Sequence, residues 1–325
     1  MAFPQNAINS VTLGGIVQDT ATHQFVPVAL HRMTAPLDLV SPQFDPLVRP
    51  SLAPFLLESV PERLPSRLPP PGMAQLHCHA GKFIGDGHSS IVFALNDVKL
   101  DGTPPDERSV PRLVVKIARS NRLAALAREA WFYDEMECLQ GSSIARCYGW
   151  FEVDLSSNQI VPAWRDHPAE ESGDYDHALD HDATVHPDQL KRTARRDILS
   201  VLVLERLGDK LPPGRHSRTV RKDIVGLYED ASHLGVGIAQ DVRRHNILEA
   251  PHEQPCLPSL ASPFSSRTHS WRLVDFEFGL KINYTLAQFK RSYKGHVRRM
   301  FRDTEEEGAG NIMYIYPESE DSGSE

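Results

Sequence analysis

The sequence predicts an α+β fold in which the strands come mainly before the helices. Runs of aliphatic and β-branched residues predict strands, and these runs are residues 82–95, 112–118, 144–153 and 197–208. Apolar residues recur at helical spacing in three stretches, which are residues 122–139, 219–234 and 286–301. Two of the three predicted helices follow the last predicted strand, which is typical of an α+β protein.

Composition favours a protein of the cell interior, in the cytoplasm or the nucleus. The 325 residues suffice for one two-lobed domain or two modest domains. The four cysteines form no Cys-x-x-Cys pair, which argues against a disulfide framework and a zinc ribbon. A run of about 18 apolar residues and a secretory leader are both absent, so we expect no membrane partner. The net charge of −8 and the lack of a basic stripe predict no nucleic-acid partner.

Three stretches of biased composition flank or interrupt the predicted elements. Residues 1–79 carry twelve of the 25 prolines, which predicts an extended or partly disordered arm that drapes over the domain. Within an insertion at 154–196, residues 166–188 contain eight acidic residues, four histidines and no Lys or Arg, so we expect disorder. The acidic tail, residues 303–325, is also expected to be disordered.

A polar constellation lies at the ends of apolar runs. Asp241 and Asn246 are five residues apart, and Asp275 lies within a second apolar run. Burying two carboxylates and an amide is costly unless a cation or a hydrogen-bond donor meets them. Mg²⁺ bound to a polyphosphate is a suitable counterpart because it prefers such oxygen ligands. The alternative is that these side chains are turn formers and a cap.

The spacing of Asp241 and Asn246, followed by Asp275-Phe276-Glu277, resembles the catalytic and metal loops of the protein-kinase-like superfamily. The chain is similar to a divergent, fungal-type protein kinase domain. The Asp-Phe-Glu triplet also resembles the metal loop of choline-kinase-like and aminoglycoside-phosphotransferase-like enzymes.

The resemblance implies a two-lobed protein-kinase-like fold over residues 80–302. A small β-rich N-lobe would span residues 80–207, and an abbreviated helical C-lobe would span residues 208–302. The implied reaction is the Mg²⁺-dependent transfer of the γ-phosphoryl group of ATP to a hydroxyl, on a protein Ser or Thr or on a small molecule.

The same resemblance assigns catalytic and metal roles. Asp241 would orient the acceptor hydroxyl and take its proton, and Arg243 would contact the γ-phosphate. Asn246 and Asp275 would hold Mg²⁺.

Lys116 is a lysine within an apolar predicted strand. Taken alone, such a lysine is more often an edge or solvent-facing residue. In the kinase resemblance it holds the α and β phosphates of ATP and is itself held by a helix glutamate. We expect that partner to be Glu129, whereas Glu135 and Glu137 are expected to be solvated.

Two further segments resemble nucleotide-binding elements. The first is a glycine turn that would cover the phosphates, and its residues are Gly85, Gly87, Ser90 and Val92. The second resembles the hinge that pairs with adenine through backbone groups, and it includes Glu205 and Leu207. A plain hairpin and a core strand that ends in a turn would have similar sequences.

The sequence also departs from the kinase pattern. Ala239 and Gln240 stand in place of His-Arg, and Glu277 stands in place of the glycine of Asp-Phe-Gly. Residues 251–270 form a Pro- and Ser-rich insertion, and only 50 residues follow Asp275. Two alternatives therefore stay open: a pseudokinase that acts as a nucleotide-binding or scaffolding module, and a non-kinase α+β protein.

Overall fold

The computed structural model describes most of the chain. The described ranges are residues 5–41, 57–87, 89–101, 110–164, 197–238, 242–253 and 255–313, with side chains as far as residue 306. Three predictions concern residues outside these ranges. They are the disorder of residues 166–188, the role of Asp241 and the disorder of residues 314–325.

Eight strands form one sheet in the described part of the chain. They are β1 (Ile8–Asp19), β2 (Phe25–Met33), β3 (Ala74–Asp86), β4 (Ser90–Leu100), β5 (Leu113–Ala118), β6 (Cys147–Asp154), β7 (Gln159–Ile160) and β8 (Ile198–Glu205). The pair β1–β3 is parallel, and the other pairs are antiparallel. The strands predicted from sequence correspond to β3 with β4, and to β5, β6 and β8.

The sheet closes into a barrel because β1 pairs with β2 along one edge and with β3 along the other. The ring runs β1-β2-β6-β8-β5-β4-β3 and returns to β1, and β7 pairs with the far end of β1. Alternate side chains point into the barrel, so Leu113, Val115 and Ile117 of β5 belong to its apolar interior. Lys116 therefore lies on the outer face of the barrel.

The described residues of the 1–79 segment supply β1, β2 and the start of β3, which corrects the prediction of an extended or partly disordered arm that drapes over the domain. Proline did not prevent strand formation, because Pro27 of β2 lies opposite the position where the register of β1 shifts. Residues 57–73 do run over the helical side of the protein. Leu57 there donates its N–H to the carbonyl oxygen of Asn283 over 2.9 Å.

Three α-helices lie outside the barrel in the residues that the structure describes. They are α1 (Leu123–Glu135), α2 (Arg218–Ser232) and α3 (Leu286–Met313). Ser217 caps α2, because its side-chain oxygen accepts the N–H of Val220. Helix α3 continues to Met313, which corrects the prediction of disorder for residues 303–313. None of the three helices has both the length and the apolar character that crossing a membrane requires.

The mixture of strands and helices agrees with the α+β prediction, but the structure lacks a clear two-lobed arrangement. One apolar cluster includes residues of α1, the outer face of the barrel, α2 and α3. The helical part therefore continues from the barrel through a shared core. This continuity corrects the expectation of a distinct N-lobe and C-lobe.

The predicted insertion at 154–196 begins with ordered structure. It includes β7 and a 3₁₀ turn at Pro162–Trp164. Val161 is buried in the barrel interior, and Trp164 donates its indole N–H to the Ala118 carbonyl over 2.9 Å. The start of the insertion is ordered because it has apolar side chains to bury.

Two short ladders connect the barrel to the helices. β9 (Val236–Gly237) pairs with β12 (Leu280–Lys281), and β10 (Ile247–Glu249) pairs with β11 (Trp271–Leu273). The loops at the ends of these ladders carry the motif residues of the predicted site.

His269 holds the Pro- and Ser-rich segment against α2. Its Nδ1 is 2.6 Å from Oδ1 of Asp223, and its Nε2 is 3.0 Å from Oδ2 of Asp230. Only 1% of the His269 surface is exposed. Burial lowers the pKa of His269, but hydrogen bonds to the two carboxylates outweigh burial and raise this pKa to about 9. The imidazole is therefore protonated at neutral pH and joins two acidic residues of α2.

We expect the stability contributed by His269 to fall as the pH rises. The folded-state pKa lies above the ordinary value, so the contribution is complete below about pH 6.5 and is lost as the pH passes through about 9. Urea denaturation should show that His269→Asn lowers the free energy of unfolding by about 1.5–3 kcal/mol near pH 6 and by less near pH 10.

The exposed His252 provides a control, because His252→Asn should change the free energy of unfolding little at either pH. An equal loss in His269→Asn at both pH values would contradict the protonated state of His269.

Candidate functional site

The predicted glycine turn, Lys116 and strand β8 share one face of the barrel. Gly85 lies opposite Val92, Val92 opposite Lys116, and Lys116 opposite Leu202. Residues directly opposite each other on neighbouring strands point to the same face of a sheet. The outer face of β3, β4, β5 and β8 therefore brings three predicted nucleotide-binding residues into one row.

Lys116 lies between two carboxylates from distant parts of the chain. Its Nζ is 2.5 Å from Oε2 of Glu129 on α1 and 2.7 Å from Oδ1 of Asp275. The side chains of Lys116 and Glu129 are almost fully buried, whereas 30% of the Asp275 side chain is exposed. The predicted pairing of Lys116 with Glu129 is present, and the ammonium also contacts the predicted metal ligand.

Nearby carboxylates oppose the effect of burial on the pKa of Lys116. Burial lowers the pKa of Lys116, but the carboxylates of Asp275, Glu129 and Glu277 outweigh burial and raise this pKa above its usual value. Burial raises the pKa of Glu129, and the ammonium opposes that rise. Three carboxylates thus act on the one ammonium of Lys116.

Asn246 lies beside the segment that carries Asp275. It ends a 3₁₀ turn at Arg244–Asn246, and its carbonyl oxygen accepts the N–H of Val274 over 3.1 Å. Asp275 has a φ of 69°, a conformation that few residues other than glycine adopt and that often occurs at functional sites.

These residues fit Mg²⁺ as a metal carried by a phosphate ligand. In the described part of the chain, no three His, Cys, Asp or Glu side chains form a metal-binding group. Mg²⁺ commonly uses one or two protein carboxylates together with substrate phosphates. Asp275 and the neighbouring Asn246 could supply such a partial ligand set.

Helix α1 is held by contacts with the segment that follows Asp275. Phe276 packs edge-to-face on Tyr133, with ring centroids 5.1 Å apart. The guanidinium of Arg128 donates to the carbonyl oxygen of Gly279 over 2.6 Å. Glu129 therefore has a defined position because its helix is braced on both sides of it.

A second ion pair corrects one prediction. Glu135, expected to be solvated, is buried and pairs with Lys281 of β12. Lys281 also donates to the carbonyl oxygen of Leu234 over 2.6 Å. The sequence pattern alone did not reveal this pair, because its two residues come from distant elements.

The predicted catalytic aspartate, Asp241, lies outside the described residues. On one side of it, Tyr293 of α3 anchors the chain: its Oη accepts the N–H of Ile238 over 2.8 Å and donates to the carbonyl oxygen of Val236 over 3.3 Å. On the other side, Arg243 is exposed at the start of the 3₁₀ turn. The roles of Asp241 and Arg243 stay predictions.

The glycine turn is held by a backbone hydrogen bond of its own and by Arg119. Gly87 donates its N–H to the Ser90 carbonyl over 2.8 Å, and Ser90 is buried. Arg119, which follows β5, pairs with Asp86 and donates to the Gly87 carbonyl over 3.2 Å. Sequence reasoning missed Arg119, and no local pattern indicates this long-range contact.

The predicted hinge is tied to its surroundings by backbone hydrogen bonds. Glu205 donates its N–H to the Arg146 carbonyl, and Arg206 donates to the Arg112 carbonyl, both over 2.9 Å. The side chain of Glu205 is buried and pairs with Arg146 over 2.5 Å. These two N–H donors are used within the protein, so the predicted adenine contact would depend on hinge carbonyl groups and on Leu207.

Comparisons with known proteins add little to this geometry. No family model matches the chain, and no curated protein matches it. The solved kinase domain of PF14_0431 is 13% identical, with a TM-score of 0.35, and the match covers 63% of this chain and 51% of that chain. The chain thus spans about half the length of that kinase domain.

We expect Tyr293→Phe to lower the free energy of unfolding by about 1–3 kcal/mol, because the buried N–H of Ile238 would lose its acceptor. Chemical denaturation measures this loss, and hydrogen exchange should show faster exchange at Ile238 than at amides elsewhere in the core.

Tyr133→Phe is the matched control. Tyr133 is also buried, but its Oη has no hydrogen-bond partner among the described residues, so its removal should cost little. Unchanged exchange at Ile238 in Tyr293→Phe would contradict the anchoring role of Tyr293.

Proposed function

We propose that this chain is an ATP- and Mg²⁺-dependent phosphotransferase with a protein-kinase-like arrangement. It transfers the γ-phosphoryl group to a hydroxyl, on a protein Ser or Thr or on a small molecule. The observation that carries the proposal is the placement of the Lys116 ammonium between the carboxylates of Glu129 and Asp275. A helix glutamate that holds a strand lysine opposite a metal-binding aspartate is the arrangement that protein kinases use for phosphoryl transfer.

Each residue contributes through charge and position. Lys116 binds phosphate oxygens, and Glu129 keeps its ammonium in place. The glycine turn at Gly85 and Gly87 offers backbone N–H groups to the same phosphates. Asp241 accepts the proton of the acceptor hydroxyl.

The metal would be held by Asn246 and Asp275. When bound, Mg²⁺ would neutralise negative charge on the terminal phosphates. The partial exposure of Asp275 supports this assignment, because a ligand could reach its carboxylate.

A second candidate function is that of a pseudokinase, a scaffold that does not catalyse transfer. The ion pairs of Lys116 favour it, because they satisfy the buried ammonium with protein groups alone. Such a network could hold β5, α1 and the Asp275 loop together without nucleotide.

The two functions differ in the expected effect of Asp241→Asn. If the chain is a phosphotransferase, purified protein with Mg²⁺ and radiolabelled ATP should hydrolyse or transfer the γ-phosphate, and Asp241→Asn should lower this rate by about 10²–10⁴-fold. Binding of ATP should change little, because the proposed role of Asp241 is toward the acceptor.

The control is Asp101→Asn, which changes an exposed aspartate of the barrel and should leave the rate unchanged. If wild type and Asp241→Asn are equally inactive while ATP still raises the melting temperature of both, the scaffold function is correct. If ATP stabilises neither protein, the phosphotransferase function is wrong.

We expect Asp275→Asn to remove the Mg²⁺-dependent part of nucleotide binding. In the wild type, adding Mg²⁺ in the presence of ATP should raise the melting temperature. Free Mg²⁺–ATP at 100 times its Kd should stabilise the protein by about 2.7 kcal/mol. The variant should lose this Mg²⁺-dependent increment, because an amide is a weaker ligand for Mg²⁺ than a carboxylate.

Asp209→Asn, at an exposed aspartate, should keep the full increment. A normal Mg²⁺ increment in Asp275→Asn would show that Asp275 does not hold the metal.

A further inference from the structure

A cavity of about 460 Å³ opens at one end of the barrel. At this end β1, β3 and β5 finish and β2 and β4 begin. Its apolar lining includes Ile16, Phe25, Phe83, Ile91 and Phe93. The volume lies within the range of small-molecule sites, about 300–1,000 Å³, and the mouth of a β-barrel is a common place for such a site. Lys116, Glu129 and Asp275 are not among its lining residues.

The backbone shapes this open end. The register of β1 shifts between Leu13 and Val17, and that of β3 shifts between Ala80 and Phe83. Gly15 lies in the first irregularity with a φ of +81°, and a Cβ there would be 2.8 Å from Nδ1 of His79. Such irregularities bend strands at the rims of barrels. The concavity is therefore a product of the strand geometry.

Two phenylalanines at the cavity are unusually exposed. Phe25 is 55% exposed and Phe83 is 52% exposed, although both line a concave surface. The ring of Phe83 also lies edge-to-face on Phe93, with centroids 5.9 Å apart. An apolar molecule that filled the cavity would cover these rings and remove their surface from water.

The polar part of the lining is a compensated ion pair. The guanidinium of Arg119 pairs with Asp86 and also donates to the carbonyl oxygen of Gly87. Because its charge is balanced within the protein, this corner of the cavity does not require a charged ligand. A hydroxyl or carbonyl group would suffice to interact with it.

We propose that the open end of the barrel is a binding site for a neutral, largely apolar small molecule with an aromatic or branched aliphatic body. This site does not include Lys116, Glu129 or Asp275, although Asp86 and Arg119 of its lining also hold the glycine turn, and it would exist whether or not the protein transfers phosphate.

The test uses two fluorescent probes with one aromatic skeleton. N-phenyl-1-naphthylamine is neutral, and 8-anilinonaphthalene-1-sulfonate adds a negative charge. Titration of the full chain with the neutral probe should give a saturable fluorescence increase with one site per chain. The anionic probe should bind more weakly, because the guanidinium of Arg119 is already paired with Asp86.

Variants locate the site. Ala163 lines the cavity and is half-buried, so Ala163→Phe should fill it and weaken binding of the neutral probe by about tenfold or more. Phe83→Ser should weaken binding by about fivefold through loss of an aromatic contact. The control is Ile84→Ser, because Ile84 is 45% exposed on the same strand but is not a lining residue.

Circular dichroism melting would show whether each variant folds, and Phe25→Ser replaces Ala163→Phe if the larger side chain prevents folding. The proposal is overturned if the wild type gives no saturable signal, or if the cavity variants and Ile84→Ser bind the neutral probe equally well. Equal or tighter binding of the anionic probe would overturn the neutral character of the ligand.

Discussion

The buried ammonium of Lys116 is the interaction on which the rest of this structure depends. It joins β5 of the barrel, helix α1 and the loop at Asp275 through two ion pairs. A buried charge is tolerated only when it is paired, and removal of one partner of a buried pair commonly costs about 3–5 kcal/mol. Lys116 therefore ties together three segments that are far apart in sequence. The contacts of α1 with Gly279 and Lys281 stabilise the same arrangement on either side of Glu129.

Closure of the barrel explains why this site lies where it does. With β1 and β2 added, the inward face of β5 is enclosed in an apolar interior, and a lysine there would have no partner. The strand alternation places Lys116 on the outward face, where α1 covers it and Glu129 can reach it. The N-terminal strands thus do more than extend the sheet, because they separate an apolar interior from a polar outer face. They also produce the open end at which the cavity lies.

The sequence predicted the local parts of this arrangement better than the distant ones. Lys116 and Glu129 are only thirteen residues apart, and the resemblance to protein kinases predicted their pairing. The pair Glu135–Lys281 joins residues 146 positions apart, and no pattern on α1 distinguishes Glu135 from a solvated residue. The strands of residues 1–79 were missed because proline content suggested an extended arm, whereas β1 pairs with residues about 65 positions later and tolerates irregular register.

The Pro- and Ser-rich segment at 251–270 shows the same limit of local reasoning. Its composition is that of a loop, yet it is held by two buried cations. Arg146 donates to the Pro258 carbonyl over 2.6 Å, and Arg272 donates to Ser259 over the same distance. Arg146 also pairs with Glu205, so this segment is linked to the end of β8. Burial lowers the pKa of Arg272 to about 10, and the nearby Glu205 opposes that change. A guanidinium so deeply buried needs the carbonyl and hydroxyl groups of the segment, and the segment in turn takes its position from the guanidinium.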